Sequence, residues 1–303
     1  MKKMTGKNTL MLFLTAFIWG SAFVAQSVGM DYVGPFTFSC VRSLIGGIFL
    51  IPCIWFLDQW RAKNDGTERG KKTVSKEEKK MELLGGICCG LALCVATNLQ
   101  QIGMQYTTVG KAGFITALYI VLVPIFGIFL KKKVEARIWV SVMISVVGLY
   151  LLCITDKLVL GKGDTLVLLC AVVFTIHILV IDYFSPKADG VRIACIQFFI
   201  TGILSAIPMF LFETPRLSDI FAAAVPVLYA GVLSSGVAYT LQIVAQKDAD
   251  PTVASLILSL ESVFSVLGGW VILGQKLSIR EIAGCILMFS AIIIAQLPGN
   301  KEA

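Results

Sequence analysis

PTVASLILSLESVFSVLGGWVILGQKL, residues Pro251 to Leu277, is an apolar stretch with a single acid, Glu261, ten residues inside its start. Its length suits a helix crossing ~30 Å of hydrocarbon. An ionised carboxylate near the bilayer centre costs at least ~2.5–3.5 kcal/mol on insertion scales, so Glu261 is expected to face protein or water. A helical wheel at about 100° per residue gives the direction. Leu256, Ile257, Leu260, Val263, Phe264, Leu267, Trp270 and Val271 crowd one half. Ala254, Ser255, Ser259, Glu261, Ser262, Ser265, Gly268 and Gly269 take the other, with Leu258 and Val266 as exceptions among them. The bulky half is expected to meet acyl chains, and the small, polar half to meet helices or a cavity. Glu261 then points inward.

The whole chain repeats this character. Of 303 residues, 57% are hydrophobic and 15% charged, with a mean hydropathy of +0.84. A soluble domain carries nearer a quarter charged residues. No alternating ten-residue pattern points to a transmembrane barrel. The apolar runs predict ten helices, roughly at 9–28, 36–57, 82–105, 111–130, 137–154, 164–183, 191–212, 221–245, 252–273 and 280–297. The fold class is therefore an all-α polytopic membrane protein, with residues 1–303 as a single transmembrane domain. Lys2 and Lys3 before an apolar run, with Gly20-Ser21-Ala22 behind it, imitate a cleavable signal. Cleavage there would leave nine spans and spoil the repeat described below, so residues 9–28 are read as the first span.

A net charge of +7 could suggest nucleic acid, but the basic residues are sorted by loop. Counting Lys and Arg on alternating sides gives nineteen on the side of the N-terminus and six on the other, with Arg42 inside a span. That asymmetry predicts both termini in the cytoplasm, in a multi-pass protein of the cytoplasmic membrane, and it removes the case for nucleic acid. Most of the excess sits in the loop 58–81, which contains RAKNDGTERGKKTVSKEEKK and has no apolar stripe. It is expected to be a polar cytoplasmic connector. The nine cysteines all fall in apolar runs, where they act as small hydrophobes. Their odd number and lack of loop pairs argue against a disulfide framework, and Cys88-Cys89 lacks partners for a metal. No metal or cofactor is expected. Lipid is an obligatory partner, and a homodimer is among the assemblies open to such a chain.

An internal repeat organises the ten spans. Phe38-Ser39-Cys40-Val41-Arg42 lines up with Ile193-Ala194-Cys195-Ile196-Gln197 at an offset of 155, which also brings Trp19 onto Phe174. Asn98-Leu99-Gln100 lines up with Thr240-Leu241-Gln242 at an offset of 142, which brings Tyr119 onto Glu261. The offsets differ because the loop 58–81 is longer than its counterpart. The halves are 1–156 and 157–303, with five spans each. Five is odd, so two similar halves insert with opposite orientation, the inverted repeat of many secondary transporters.

Trp19-Gly20-Ser21-Ala22-Phe23, Arg42, GKAGFITALYIVLVP in the fourth span, Ser259-Leu260-Glu261-Ser262-Val263-Phe264 and Leu273-Gly274-Gln275-Lys276-Leu277-Ser278 occur in an order that resembles the EamA-type branch of the drug/metabolite transporter superfamily. The resemblance covers essentially the whole chain. It implies ten helices, two inverted five-helix halves and a central substrate cavity. It also implies a proline after the acid of the ninth helix and a second acid beyond that helix. Ser262 and Gln275 stand there instead, which removes any role the second acid would have had.

Several side chains are candidates for the cavity. Trp19 shares a helix face with Thr15, Ala22 and Gln26; it can stack on rings or cations, or simply pack. Arg42 can anchor a carboxylate, or snorkel and hold backbone carbonyls. Asn98, Gln101 and Gln105 share a face with Gly90 and Cys94, and Ser235, Tyr239, Gln242 and Gln246 form a matching stripe. Such stripes suit either a polar metabolite or interhelical hydrogen bonding. His177, the lone histidine, is repeat-matched to Ala22 and can relay protons or sit satisfied in the core. Glu261 is a candidate proton-coupling acid, cation ligand or structural acid. Because the resemblance implies this acid across varied substrates, a structural or coupling role is favoured over substrate choice.

These features predict a secondary transporter of a small organic metabolite, not an enzyme. It would work by alternating access on a substrate or proton gradient. An amino acid or related compound, exported, is the substrate expectation that the resemblance alone supplies. The sequence lacks a Walker motif. An intramembrane enzyme would need paired acids or a nucleophile with its base inside the bilayer. A non-transporting scaffold or sensor would show no flux.

Overall fold

Polar caps at the ends of apolar runs fix where the helices begin. In the computed structural model, Thr5 accepts from the Asn8 amide, Ser75 from Glu78, and Asp250 from Thr252 with Pro251 at the first helical position. Asp189 caps one helix, while Ser278 and Glu281 form a capping box on another. Such side chains satisfy backbone N–H groups that a helix end leaves unpaired, and they lie where a bilayer would give way to water. The structure describes residues 4–64, 75–107, 109–132, 134–153, 161–273 and 278–297. Among these there is no strand.

Ten helical spans follow. They are α1 (Gly6–Gly29), α2 (Pro35–Asn64), α3 (Lys76–Gly103), α4 (Val109–Ala117 and Tyr119–Phe129), α5 (Ala136–Cys153), α6 (Lys162–Phe184) and α7 (Gly190–Phe212). After a short helix at Leu217–Ala222 come α8 (Ala224–Leu228, Tyr229–Ala238 and Tyr239–Gln246), α9 (Pro251–Leu258 and Glu261–Leu273) and α10 (Ile279–Gln296). Eight are long and apolar enough to cross a membrane; α5 and α9 have shorter apolar segments, Ala136–Leu152 and Pro251–Leu267. The face at which α1 begins is called the terminal face, and the opposite one the far face.

The two five-helix repeats are interlocked. Helices α1 and α2 pack against α8, and α1 also against α9; their mates α6 and α7 pack against α3, and α6 against α4. Helices α2 and α7, α4 and α9, and α5 and α10 meet their own repeat mates. The repeat axis therefore runs between these three pairs. At α5 and α10 the backbones nearly touch: a Cβ on Gly284 would lie 2.7 Å from the Gly148 carbonyl oxygen.

Two expectations change. Leu256, Ile257, Leu260 and Val263 do not meet lipid; all are buried, because the first half of α9 is enclosed by α1, α4, α5, α6 and α10. Trp270, further along, is exposed as expected. The polar connector is also shorter than 58–81, since α2 runs on to Asn64 and α3 starts at Lys76. Its remainder, 65–74, lies outside the described residues.

Candidate functional site

Helices α4 and α9 both break, at matching positions. The Leu118 amide bonds the Ile115 carbonyl at 3.2 Å, and the Leu260 amide bonds Ile257 at 3.1 Å. By the 142 offset these are the same turn. After each break the helix restarts, at Tyr119 in α4 and at Glu261 in α9. The Tyr119 hydroxyl donates to Glu261 Oε1 at 3.1 Å, so the repeat mates meet across the axis. Ser262, next to Glu261, donates to the Gly113 carbonyl of α4 at 3.2 Å. Opposite, a Cβ on Gly20 of α1 would lie 2.5 Å from the Glu261 carbonyl oxygen. Only a glycine lets α1 come this close to the break.

Around this crossing lies a narrow cavity lined by fifteen residues. Ten of its lining residues form five repeat-related pairs: Trp19 with Phe174, Phe23 with Ile178, Gln100 with Gln242, Thr116 with Leu258, and Tyr119 with Glu261. The remaining five are Ala22, Gln26, Arg42, Ser234 and Tyr239. Ala22 and Gln26 occupy the last two turns of α1, and Arg42 lies about two turns inside α2, all near the far face. The cavity thus sits on the repeat axis and extends toward the far face.

A basic and an acidic side chain share it. Arg42 is only 4% exposed, and its guanidinium donates to Gln26 Oε1 at 3.2 Å and lies 5.8 Å from the Phe38 ring centre. Glu261 is likewise 4% exposed. Among the described residues neither makes an ion pair. A buried charge without a charged partner is expensive unless something complementary visits it. The Trp19 and Tyr239 rings lie 4.5 Å apart on the cavity wall. This set of groups can take a carboxylate at Arg42, a cation or hydrogen-bond donor at Glu261, and a flat or apolar body against the rings.

The other sequence candidates lie elsewhere. Asn98 donates to Ser205 Oγ of α7 at 2.8 Å and to the Cys94 carbonyl at 2.8 Å, between helices. Gln101 is fully buried, with Nε2 donating to the Gln26 carbonyl at 3.4 Å. His177 is also fully buried, with Nε2 3.2 Å from Gln197 Oε1. Trp19, Arg42, Tyr239, Gln242 and Glu261 do line the cavity.

Gln100 and Ser234 were not singled out by the stripe patterns, and each has a reason. Gln100 lies beside the Asn98–Gln101 stripe, turned toward α4, where its amide donates to Thr116 at 3.1 Å. Its signal was the alignment with Gln242. Ser234 falls in the stretch Tyr229–Ala238, which is a π-helix. With i→i+5 bonding, Ser234 and Tyr239 share a face, whereas α-helical spacing pairs Tyr239 with Ser235.

Ion pairs tie helices together at both faces, with Lys111 4.0 Å from Asp164 on the far one. Lys132 at the end of α4 pairs with Asp182 near the end of α6. Arg192 pairs with Asp58 at 2.6 Å and approaches Glu82 at 4.0 Å. At the far face Glu213 caps α2, accepting from the Phe36 and Thr37 amides at 2.8 Å each.

Comparison with known proteins places this geometry in a group. The EamA-like transporter family matches the chain twice, over residues 7–154 and 161–296. An uncharacterized transporter of Archaeoglobus fulgidus is 32% identical over 287 residues, covering 94% of this chain and 84% of that protein. The uncharacterized transporter YoaV of Bacillus subtilis is 21% identical over 294 residues, covering 95% and 96%. A solved crystal structure superposes with a TM-score of 0.74 over 96% of both chains at 19% identity, a likeness of fold.

Proposed function

The chain belongs to the EamA-like transporter family, and from that membership we propose that it moves a small organic metabolite across the cytoplasmic membrane by alternating access. The observation that carries this is the cavity on the repeat axis, with buried Arg42 and Glu261 both in its wall. Inverted-repeat transporters hold substrate near the midplane, at the interface of their halves. A guanidinium and a carboxylate in one enclosed site, flanked by Trp19 and Tyr239, suit a zwitterion such as an amino acid or a related compound. Export is the direction that the family resemblance favours. The loop asymmetry of Lys and Arg supports the terminal face being cytoplasmic, so the cavity extends toward the outside.

Glu261 is the group through which a proton would couple. It alone among the cavity residues is an acid, and Tyr119 can donate to it in either protonation state. In this scheme Asn98 and Gln101 hold helices together, Arg42, Gln242, Tyr239 and Trp19 contact the substrate, and Glu261 meets its ammonium group in one phase of the cycle and takes a proton in the other.

The test is flux of a metabolite panel through proteoliposomes, with and without an imposed pH gradient, for the wild type and Glu261→Gln. Gradient-driven flux of a zwitterion, lost in Glu261→Gln, is expected. A variant that keeps full gradient-driven flux refutes coupling through Glu261. Absence of flux for the whole panel refutes the substrate class.

A further inference from the structure

We propose that His177 and Gln197, sealed in the core here, form the substrate-facing lining of the cavity when it opens to the terminal face. This rests on alternating access. Exchange of the two halves is what inverted repeats permit, so each residue near one face has a counterpart near the other. Ala22 and Arg42 line the cavity on the far side. Their repeat mates are His177 and Gln197. Ala22 lies about two turns before the end of α1 and His177 about two turns before the end of α6. Arg42 and Gln197 stand at the same depth inside α2 and α7, counted from opposite faces.

The sealed pair carries a sign of a second state. Both side chains are 0% exposed, and His177 Nδ1 and Gln197 Nε2 have no hydrogen-bond partner among the described residues. A buried polar atom left unpaired bears its full desolvation cost. Opening toward the terminal face would give both atoms water or substrate. Between His177 and the cavity stand two lining rings, Tyr239, 4.5 Å from Trp19 and 6.0 Å from His177, and Phe174, 6.4 Å from His177. Tyr239 sits where the π-helical stretch of α8 reverts to α-helix, a type of junction frequent at functional sites.

The chemistry of the two linings differs. The far side offers a guanidinium. The terminal side offers an amide N–H from Gln197, a neutral donor that holds a carboxylate by a weaker bond, and the Nδ1 of His177, an acceptor because Nε2–H donates to Gln197 Oε1. Lys132–Asp182 latches α4 to α6 at the terminal face, and Lys111 stands 4.0 Å from Asp164 between the same helices at the far face; the positions repeat-related to Lys132 and Asp182, Gly274 and Ser27, are uncharged.

The chain has one histidine, so diethyl pyrocarbonate labelling, read by mass spectrometry of the His177 peptide, reports one site. The full-length protein, purified on a non-histidine tag and placed in liposomes, is labelled as wild type, as Asp182→Asn, as Lys132→Gln, and as the exchange Lys132→Asp/Asp182→Lys. Breaking the latch is expected to raise the labelling rate by about fivefold, the upper worth of a partly exposed pair. The exchange is expected to return it to the wild-type rate, which a locally unfolded protein would not do. Equal rates in wild type and both single variants overturn the proposal, as does an exchange that stays fast. Flux in the panel assay with invariant labelling would sink this inference alone. Latch-dependent labelling without flux would sink the transport reading and leave the opening of this face intact.

Discussion

At the residue scale the site turns on how few partners its charges have. Arg42 makes a single described hydrogen bond, to Gln26, so its remaining donors are free for a ligand. Arg42→Gln is expected to fold and to weaken a carboxylate-bearing substrate by about ten- to a hundredfold, the worth of one charge-assisted bond. Arg42→Lys recovers part of this, since a point charge replaces a fork. Substrate-dependent thermal shift and transport KM check both. If the lost affinity comes with an equal loss of stability in the absence of substrate, Arg42 is a packing residue. The candidates on α1 could be read from spacing alone, because Trp19, Ala22 and Gln26 recur at helical intervals on an unbroken helix. Asn98 shows the opposite case. Its stripe faces inward as expected, yet α7 rather than the cavity meets it there, and nothing in α3 itself records which neighbour that face will have.

Elements matter here through their interruptions. Helices α4 and α9 break at Leu118 and Leu260, and α1 crosses the second break on Gly20. A methyl at Gly20 meets backbone of α9, so Gly20→Ala is expected to destabilise by about 1–3 kcal/mol and to lower flux. Gly6 has nothing near its Cβ position, and Gly6→Ala is expected to stay within about 0.5 kcal/mol. Thermal unfolding in one detergent compares the two. Similar midpoints would mean that α1 and α9 can part without cost. The π-helical stretch in α8 is the element that the sequence concealed. Its residues look helical by composition, and only hydrogen bonding decides between i→i+4 and i→i+5.

At the scale of the molecule, the interlocking of the halves makes the cavity common property: α1 and α2 complete a wall with α8, and α6 with α3 and α4. Neither repeat alone encloses it. The even number of spans puts both termini on one face, and the basic loops predict that face to be cytoplasmic. Tags at either end of the chain are therefore expected to be protected from external protease in intact cells and cleaved after permeabilisation. Cleavage of both in intact cells would reverse the orientation and, with it, the side toward which the cavity extends.

Hydrophobic length and the two offsets are sufficient for ten spans, their order and the duplication, because these depend on solvation and on chain order alone. Glu261 and Tyr119 could be recognised as repeat mates, and Glu261 as turned inward, from the cost of a charge in lipid. That they touch, that Leu256 to Val263 are buried rather than lipid-facing, and that Arg42 lines the cavity while His177 does not depend on which helices surround each face. Periodicity gives a helix its faces. Only the packing of five helices against five others assigns each face its neighbour.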